Sequence, residues 1–187
     1  MFPARYELVF HDRIPREAGM AVFELPAGCP VDPQQELAAA PIVEVRPAAG
    51  SPWTGIFFAE AGANIVGTLI GWPDEESLCF LGGGGAYVVS SSDPSRLTLI
   101  DGGPMLQQQY VVAEAGIVLF ADWTNLHAYD RSGLLWRSAR LALDDLAIEG
   151  VEDDVIACSG FFGGRGERFT VDLRTGKTSD SPLTFGD

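Results

Sequence analysis

The chain is 187 residues long, 47% apolar, and carries 26 acidic against 12 basic side chains, a formal net charge of −14. That length and apolar content suit one folded domain, or a small core with an appendage, and exclude disorder for the bulk of the chain. The charge argues against nucleic acid and anionic membrane as partners, since both require a basic surface, and it permits a basic protein partner drawn in by long-range attraction.

Residues 5–10 (RYELVF) alternate and predict a first strand, and 20–25 (MAVFEL) a second. Pro26, Pro30, Pro33 and Pro41 exclude a central strand between them, leaving a loop with room for one helical turn at 33–40. IVEVR at 42–46 predicts a third strand and runs into a PAAGSP linker. Residues 1–50 therefore read as an irregular N-terminal segment whose short strands pack on the core.

From Trp53 the texture changes, and 51–187 reads as a β domain. Apolar runs at 55–60, 64–72, 77–82, 86–91, 96–101, 108–114, 116–122, 125–130, 134–139, 146–151, 154–162 and 167–173 are separated by Gly, Asp, Asn and Ser. Short strands at this spacing predict an all-β chain of antiparallel meanders rather than βαβ units. The best helix candidate is ARLALDDL at 139–146.

Cys29, Cys79 and Cys158 are odd in number and far apart, with no zinc or CxxC spacing. They read as reduced, buried thiols of a cytoplasmic protein. The first thirteen residues hold charges at Arg5, Glu7, Asp12 and Arg13 and no sustained apolar run, so no secretory leader is expected. No run of eighteen apolar residues predicts a membrane helix. Lys177 is the sole lysine beside abundant Arg, Ala, Gly and Pro, which fits the coding bias of a GC-rich genome.

The clearest pattern is GIVLFADWTNLHAYDRSGLLWRS at 116–138. Two alternating strands flank the turn at 122–125, and a second turn, Asp130-Arg131-Ser132-Gly133, leads to a strand ending in Trp136. Asp and Ser bond the backbone of their own turn, and Gly133 supplies a positive φ. This unit resembles a quinoprotein (PQQ-like) or WD40-like β-propeller blade, and its Tyr129-to-Trp136 spacing also fits kelch repeats. The resemblance implies that Ala128 lies on a tightly packed inner strand, that Asp130 and Gly133 make the turn, and that Trp136 docks on a neighbouring blade. A poorer copy at 155–177 ends in Asp172-Leu173-Arg174-Thr175-Gly176-Lys177, with Asp172 lying 42 residues after Asp130, Gly176 counted among the repeat residues, and Ser179 and Asp180 near where the Trp would stand. A third, weaker copy spans 77–100, so the resemblance covers about residues 77–177. The expected fold is all-β and propeller-like, a partial or small propeller, with a β-sandwich as the alternative. The resemblance does not imply the quinone cofactor of the PQQ enzymes.

No HExxH, P-loop, EF-hand loop or GxSxG elbow occurs, and no metal or cofactor is expected. His127, with Asp122 nearby, is the candidate for catalysis. The favoured reading is structural: a partly buried imidazole capping a turn, sharing a strand face with Asn125 and Tyr129 and opposed to Leu126, Ala128 and Asp130. His11, beside Asp12, reads as structural too. The glycine runs at 82–85 and 163–166 read as tight hairpins rather than anion cradles. The densest acidic stretch, which includes Asp144, Asp145, Glu152, Asp153 and Asp154, reads as a solvated or partner-facing rim. Trp123, in a turn, is the candidate interface anchor, with core packing as the favoured alternative. The expected function is a non-enzymatic binding module for a protein partner, with a basic one permitted, acting through loops on a rigid β scaffold. The alternatives are a small hydrolase or lyase using His127 with nearby carboxylates, and a structural subunit completing a larger β assembly, or a homo-oligomer, through an edge strand.

Overall fold

Fifteen strands make up the regular structure of residues 2–15, 19–26, 40–58, 67–101 and 105–178, the residues described by this computed structural model of the protein. No α-helix occurs among them, and so no helix long and apolar enough to cross a membrane. The fold class is all-β, in four sheets that are antiparallel apart from one strand pair. Cys29 and, but for Ala40, the helical turn expected at 33–40 lie outside the described residues, as do Ser179 and Asp180.

The chain divides into two compact units, Met1–Pro104 and Met105–Asp187. The first unit holds two sheets. One is ordered β1 (Tyr6–His11), β3 (Ile42–Pro47), β4 (Trp53–Phe57), β2 (Ala21–Leu25), with β2 and β4 parallel. Strands from residues 1–50 thus pair directly with β4, across the linker. The other is a meander of β5 (Thr68–Gly71), β6 (Ser77–Gly82), β7 (Gly85–Ser90) and β8 (Leu97–Leu99). Period-2 alternation sends Val43, Val45, Trp53 and Phe57 from one sheet against Leu78, Phe80, Tyr87 and Val89 from the other. The Phe57 and Tyr87 rings stack with centroids 6.4 Å apart. The polar tips of this core are satisfied by backbone: the Tyr87 hydroxyl donates to the Leu25 carbonyl at 2.9 Å and Trp53 Nε1 to the Ser91 carbonyl at 2.7 Å.

The second unit repeats the scheme. β9 (Gln108–Val112), β10 (Ile117–Ala121), β11 (Leu126–Asp130) and β12 (Gly133–Arg137) form a meander in chain order, with a 3-10 turn at Ala113–Ala115. β13 (Asp144–Glu152), β14 (Val155–Phe162) and β15 (Arg165–Asp172) form the fourth sheet. Ile117, Leu119, Ala121, Leu126 and Ala128 pack on Leu146, Ile148, Ile156, Cys158, Phe169 and Val171 between the two sheets. Val118 and Phe120, on the opposite face of β10, are buried as well, which is why IVLFA reads as a continuous apolar run. Cys79 and Cys158 are buried free thiols, and burial raises both thiol pKa values, that of Cys158 to about 12.

The segment expected to be helical, 139–146, is an extended connection instead, with β13 starting at Asp144. Its amides leave the chain's own helical register. Leu141 N–H donates to the Thr124 carbonyl at 2.7 Å and Leu143 N–H to the Phe161 carbonyl at 3.0 Å, while Leu141 and Ala142 enter the core. Tertiary pairing overrides a weak helical pattern.

Two side chains key the third sheet to the fourth. The amide of Gln108 stands in for a neighbouring strand: its Nε2 donates to the Ile148 carbonyl at 2.9 Å and its Oε1 accepts from Ile148 N–H at 2.7 Å. That pair occupies the free edge of β13. Trp136 lies over the turn after β15. Its Nε1 donates to the Leu173 carbonyl at 2.9 Å, and a Cβ built on Gly176 would stand 2.5 Å from its ring. Gly176 also has φ of 68°, left-handed.

Gly116 has nearly the same φ, 67°, but open space around its Cβ position. Gly116→Ala isolates the backbone cost, of about 1 kcal/mol, and Gly176→Ala adds displacement of the indole, for a total of about 2–4 kcal/mol. Urea unfolding of both variants checks this; equal midpoint shifts would show that Trp136 does not bear on Gly176.

Candidate functional site

The corner between β10 and β11 brings together the two residues singled out for chemistry. β10 ends at Ala121, and Asp122 opens the turn. Its Oδ1 accepts from the backbone N–H groups of Thr124 at 2.7 Å and Asn125 at 2.6 Å. Its Oδ2 accepts from His127 Nε2 on β11 at 3.0 Å. Arg137, cross-strand partner of His127, places Nη2 3.6 Å from the same oxygen while most of its own side chain stays exposed. Burial works to raise the Asp122 pKa, but the hydrogen bonds from His127, Thr124 and Asn125 outweigh it and hold the carboxyl below its usual range.

His127 has no accessible surface, whereas a partly buried ring was expected. Side chains on both faces of β11 are packed: Leu126 and Ala128 enter the core between the sheets, and Tyr129, on the His127 face, is buried too, as is Phe120 opposite His127 on β10. Nδ1 of His127 is buried with no hydrogen-bond partner. An imidazole in this position braces the turn through Asp122 and reaches no solvent-borne substrate. The chain's other histidine is held in the same way: His11 Nε2 lies 3.2 Å from Glu44, whose second oxygen accepts from Arg46 Nε at 2.6 Å. The Arg46 hydrogen bond, against the opposing effect of burial and with help from His11, keeps the Glu44 pKa low. Among the described residues no three His, Cys, Asp or Glu side chains are placed to hold a metal ion.

The turns of the repeat pattern are alike in detail. Asp130 Oδ1 accepts from the N–H and hydroxyl of Ser132, both at 2.6 Å. Asp172 Oδ1 accepts from the N–H groups of Arg174 and Thr175 and from the Thr175 hydroxyl. Ala128 is fully buried opposite Trp136, Gly133 has φ of 121°, and Trp136 and Gly176 meet as described above.

The six residues expected to meet a partner divide between two places. Trp123, Asp144 and Asp145 come together, because Leu146 N–H donates to the Trp123 carbonyl at 3.2 Å and ties the 122–125 turn to the start of β13. Glu152, Asp153 and Asp154 sit at the other end of that nine-residue strand, about 25 Å away. There Asp153 and Asp154 form a hairpin turn with φ of 47° and 64°, and Asp154 is paired with Arg174 at 2.8 Å. The Trp123 end gains two exposed apolar residues not singled out from sequence, Leu143 and Phe161, whose backbones are hydrogen-bonded. Both lie in stretches where apolar residues ordinarily turn inward, and only the tertiary fold exposes them. The chain matches no protein-family model, and no curated protein aligns with it.

Because the Asp122 pKa is lower folded than unfolded, unfolding takes up a proton in acid. The stability Asp122 contributes is present above about pH 4 and is lost as pH falls through its folded pKa. Asp122→Asn keeps an oxygen for the turn amides but removes the charge. It is expected to cost about 2–4 kcal/mol at pH 7 and to flatten the acid limb below pH 5. Urea midpoints from pH 7 to pH 3 test this, and parallel curves for the two proteins would contradict it.

Proposed function

We propose that the protein is a non-enzymatic binding module that takes a basic segment of a partner protein at the Trp123 end of its second unit. The observation that carries the reading is that backbone hydrogen bonds bring three exposed apolar residues, Trp123, Leu143 and Phe161, to the same end of β13 as Asp144 and Asp145. Exposed aromatic anchors beside charge on a rigid frame are the usual composition of a docking surface. The burial of His127 weighs against the hydrolase or lyase alternative, since a general base must come within hydrogen-bond reach of substrate.

The sheets from about residue 77 to 177 are read as blade-type repeats of the propeller kind, in a partial or small propeller, with a β-sandwich as the alternative. Support comes from two consecutive four-stranded meanders in chain order, from the matching Asp130 and Asp172 turns, and from Trp136 lying against Gly176. The buried, unreactive thiols of Cys79 and Cys158 support a cytoplasmic setting.

Selection of random dodecapeptides by display on the full chain provides the test. Selected peptides are expected to be rich in Arg and Lys with an apolar anchor, and to lose about tenfold or more in affinity for Trp123→Ala. The Glu152→Gln, Asp153→Asn, Asp154→Asn triple variant should bind them almost as the wild type does. Peptides indifferent to Trp123→Ala, or acidic ones, would overturn the proposal.

A further inference from the structure

We infer that the groove beside Asp145 is a subsite for an arginine side chain of the partner, an inference that rests on the binding-module reading and names its specificity. The groove has a volume of about 420 Å³ and runs across the fourth sheet between Asp145 on β13, Ser159 and Phe161 on β14, and Gly166 and Arg168 on β15. It lies on the face away from the core, since Phe162 and Phe169 point inward there.

Three features shape it. Phe161 and Gly166 are cross-strand partners, and a Cβ on Gly166 would meet no atom within 4 Å, so the space beside the half-exposed Phe161 ring is open. The register of β13 slips between Asp144 and Ala147, and Asp145 within that bulge has φ of 51°. A bulge of this kind re-aims a side chain out of the regular alternation, here into the groove. The charges are unequally matched. Arg168 Nε is 3.1 Å from Glu149, and Arg165 is paired with Glu167, so both arginines are neutralised. Asp144 accepts only from the Asp145 N–H, and the Asp145 carboxylate has no partner among the described residues.

An aromatic wall, an unpaired carboxylate and a hydroxyl around an open slot fit a planar cation. A guanidinium stacks on an aromatic face while its fork of N–H groups reaches carboxylate and hydroxyl oxygens. An ammonium is a compact point charge and uses the ring and the carboxylate together less well.

The experiment is a titration of the ¹⁵N-labelled full chain with acetyl-Ala-Arg-Ala-amide and with its citrulline analogue, which has the same shape without the charge. The arginine peptide should shift the amide resonances of Ser159, Phe161 and Gly166, and bind about tenfold more tightly than the citrulline peptide. Two variants should remove that preference with the remaining spectrum unchanged. Asp145→Asn retains a residue that tolerates positive φ, and Gly166→Val fills the slot with a side chain suited to a strand. Equal binding of the two peptides, or an arginine preference that survives both variants, overturns the subsite. The dodecapeptides separate the two proposals. Dependence on Trp123 without dependence on Asp145 or Gly166 would overturn the subsite and leave the binding reading standing. Indifference to Trp123→Ala would overturn the binding reading, while the tripeptide titration still decides the subsite.

Discussion

A carboxylate that collects backbone amides at a corner is the interaction on which the rest of this structure depends. Asp74, Asp93, Asp122, Asp130 and Asp172 each accept from an N–H two residues on, and each also takes a nearby Ser or Thr hydroxyl. Short strands demand frequent reversals, and every reversal leaves amides with no ladder partner. An Asp placed at the corner satisfies them locally, through partners two or three residues away in the chain. Part of the acidity of this chain is therefore structural. Hydrogen bonding to the charged form lowers the pKa of Asp122, Asp130 and Asp172 against the opposing effect of burial.

Corners alone make hairpins, and hairpins need something to hold one sheet on another. In the second unit that role falls to side chains that replace backbone. Gln108 pairs with Ile148 as a strand would, and Trp136 donates to Leu173 while filling the space that Gly176 leaves. Each contact joins a directional hydrogen bond to apolar burial, and so fixes register as well as adding stability. In the first unit Trp53 and Tyr87 act likewise, each with an aromatic body in the core and its polar atom on a carbonyl.

The strands were legible because apolar alternation broken by Gly, Asp and Ser is a local signal. RYELVF, SLCFLG, GIVLFAD and ERFTVDL all became strands within a residue or two of their expected limits. Trp136 was expected to dock on another part of the chain, but Gly176 as the place where its ring lies was not read from the sequence. What the sequence hid is tertiary. Residues 139–146 had helical apolarity, but Thr124 and Phe161 took their amides. The burial of His127 followed from packing over both faces of its strand. Acidic residues close in sequence were carried apart by the length of β13. Gln108, Arg137, Leu143 and Phe161 carry no motif, and their roles exist only once the sheets are assembled.

The charge pattern divides labour at the proposed docking end. Arg5, Arg46, Arg137, Arg165, Arg168 and Arg174 are each within ion-pair distance of a carboxylate, whereas the Arg140 guanidinium beside the docking end donates to the Ala142 and Leu143 carbonyls. Exposed unpaired charge acts over roughly a Debye length, about 8 Å at physiological salt, and speeds encounter more than it prolongs it. Residence depends on desolvated contacts. Trp123 and Phe161 are exposed aromatics on backbone already fixed by hydrogen bonds, so little ordering entropy opposes their burial by a partner. A basic segment bound there would show salt-dependent association, while its dissociation would depend on the buried aromatic contacts together with the pairing of its arginine to Asp145.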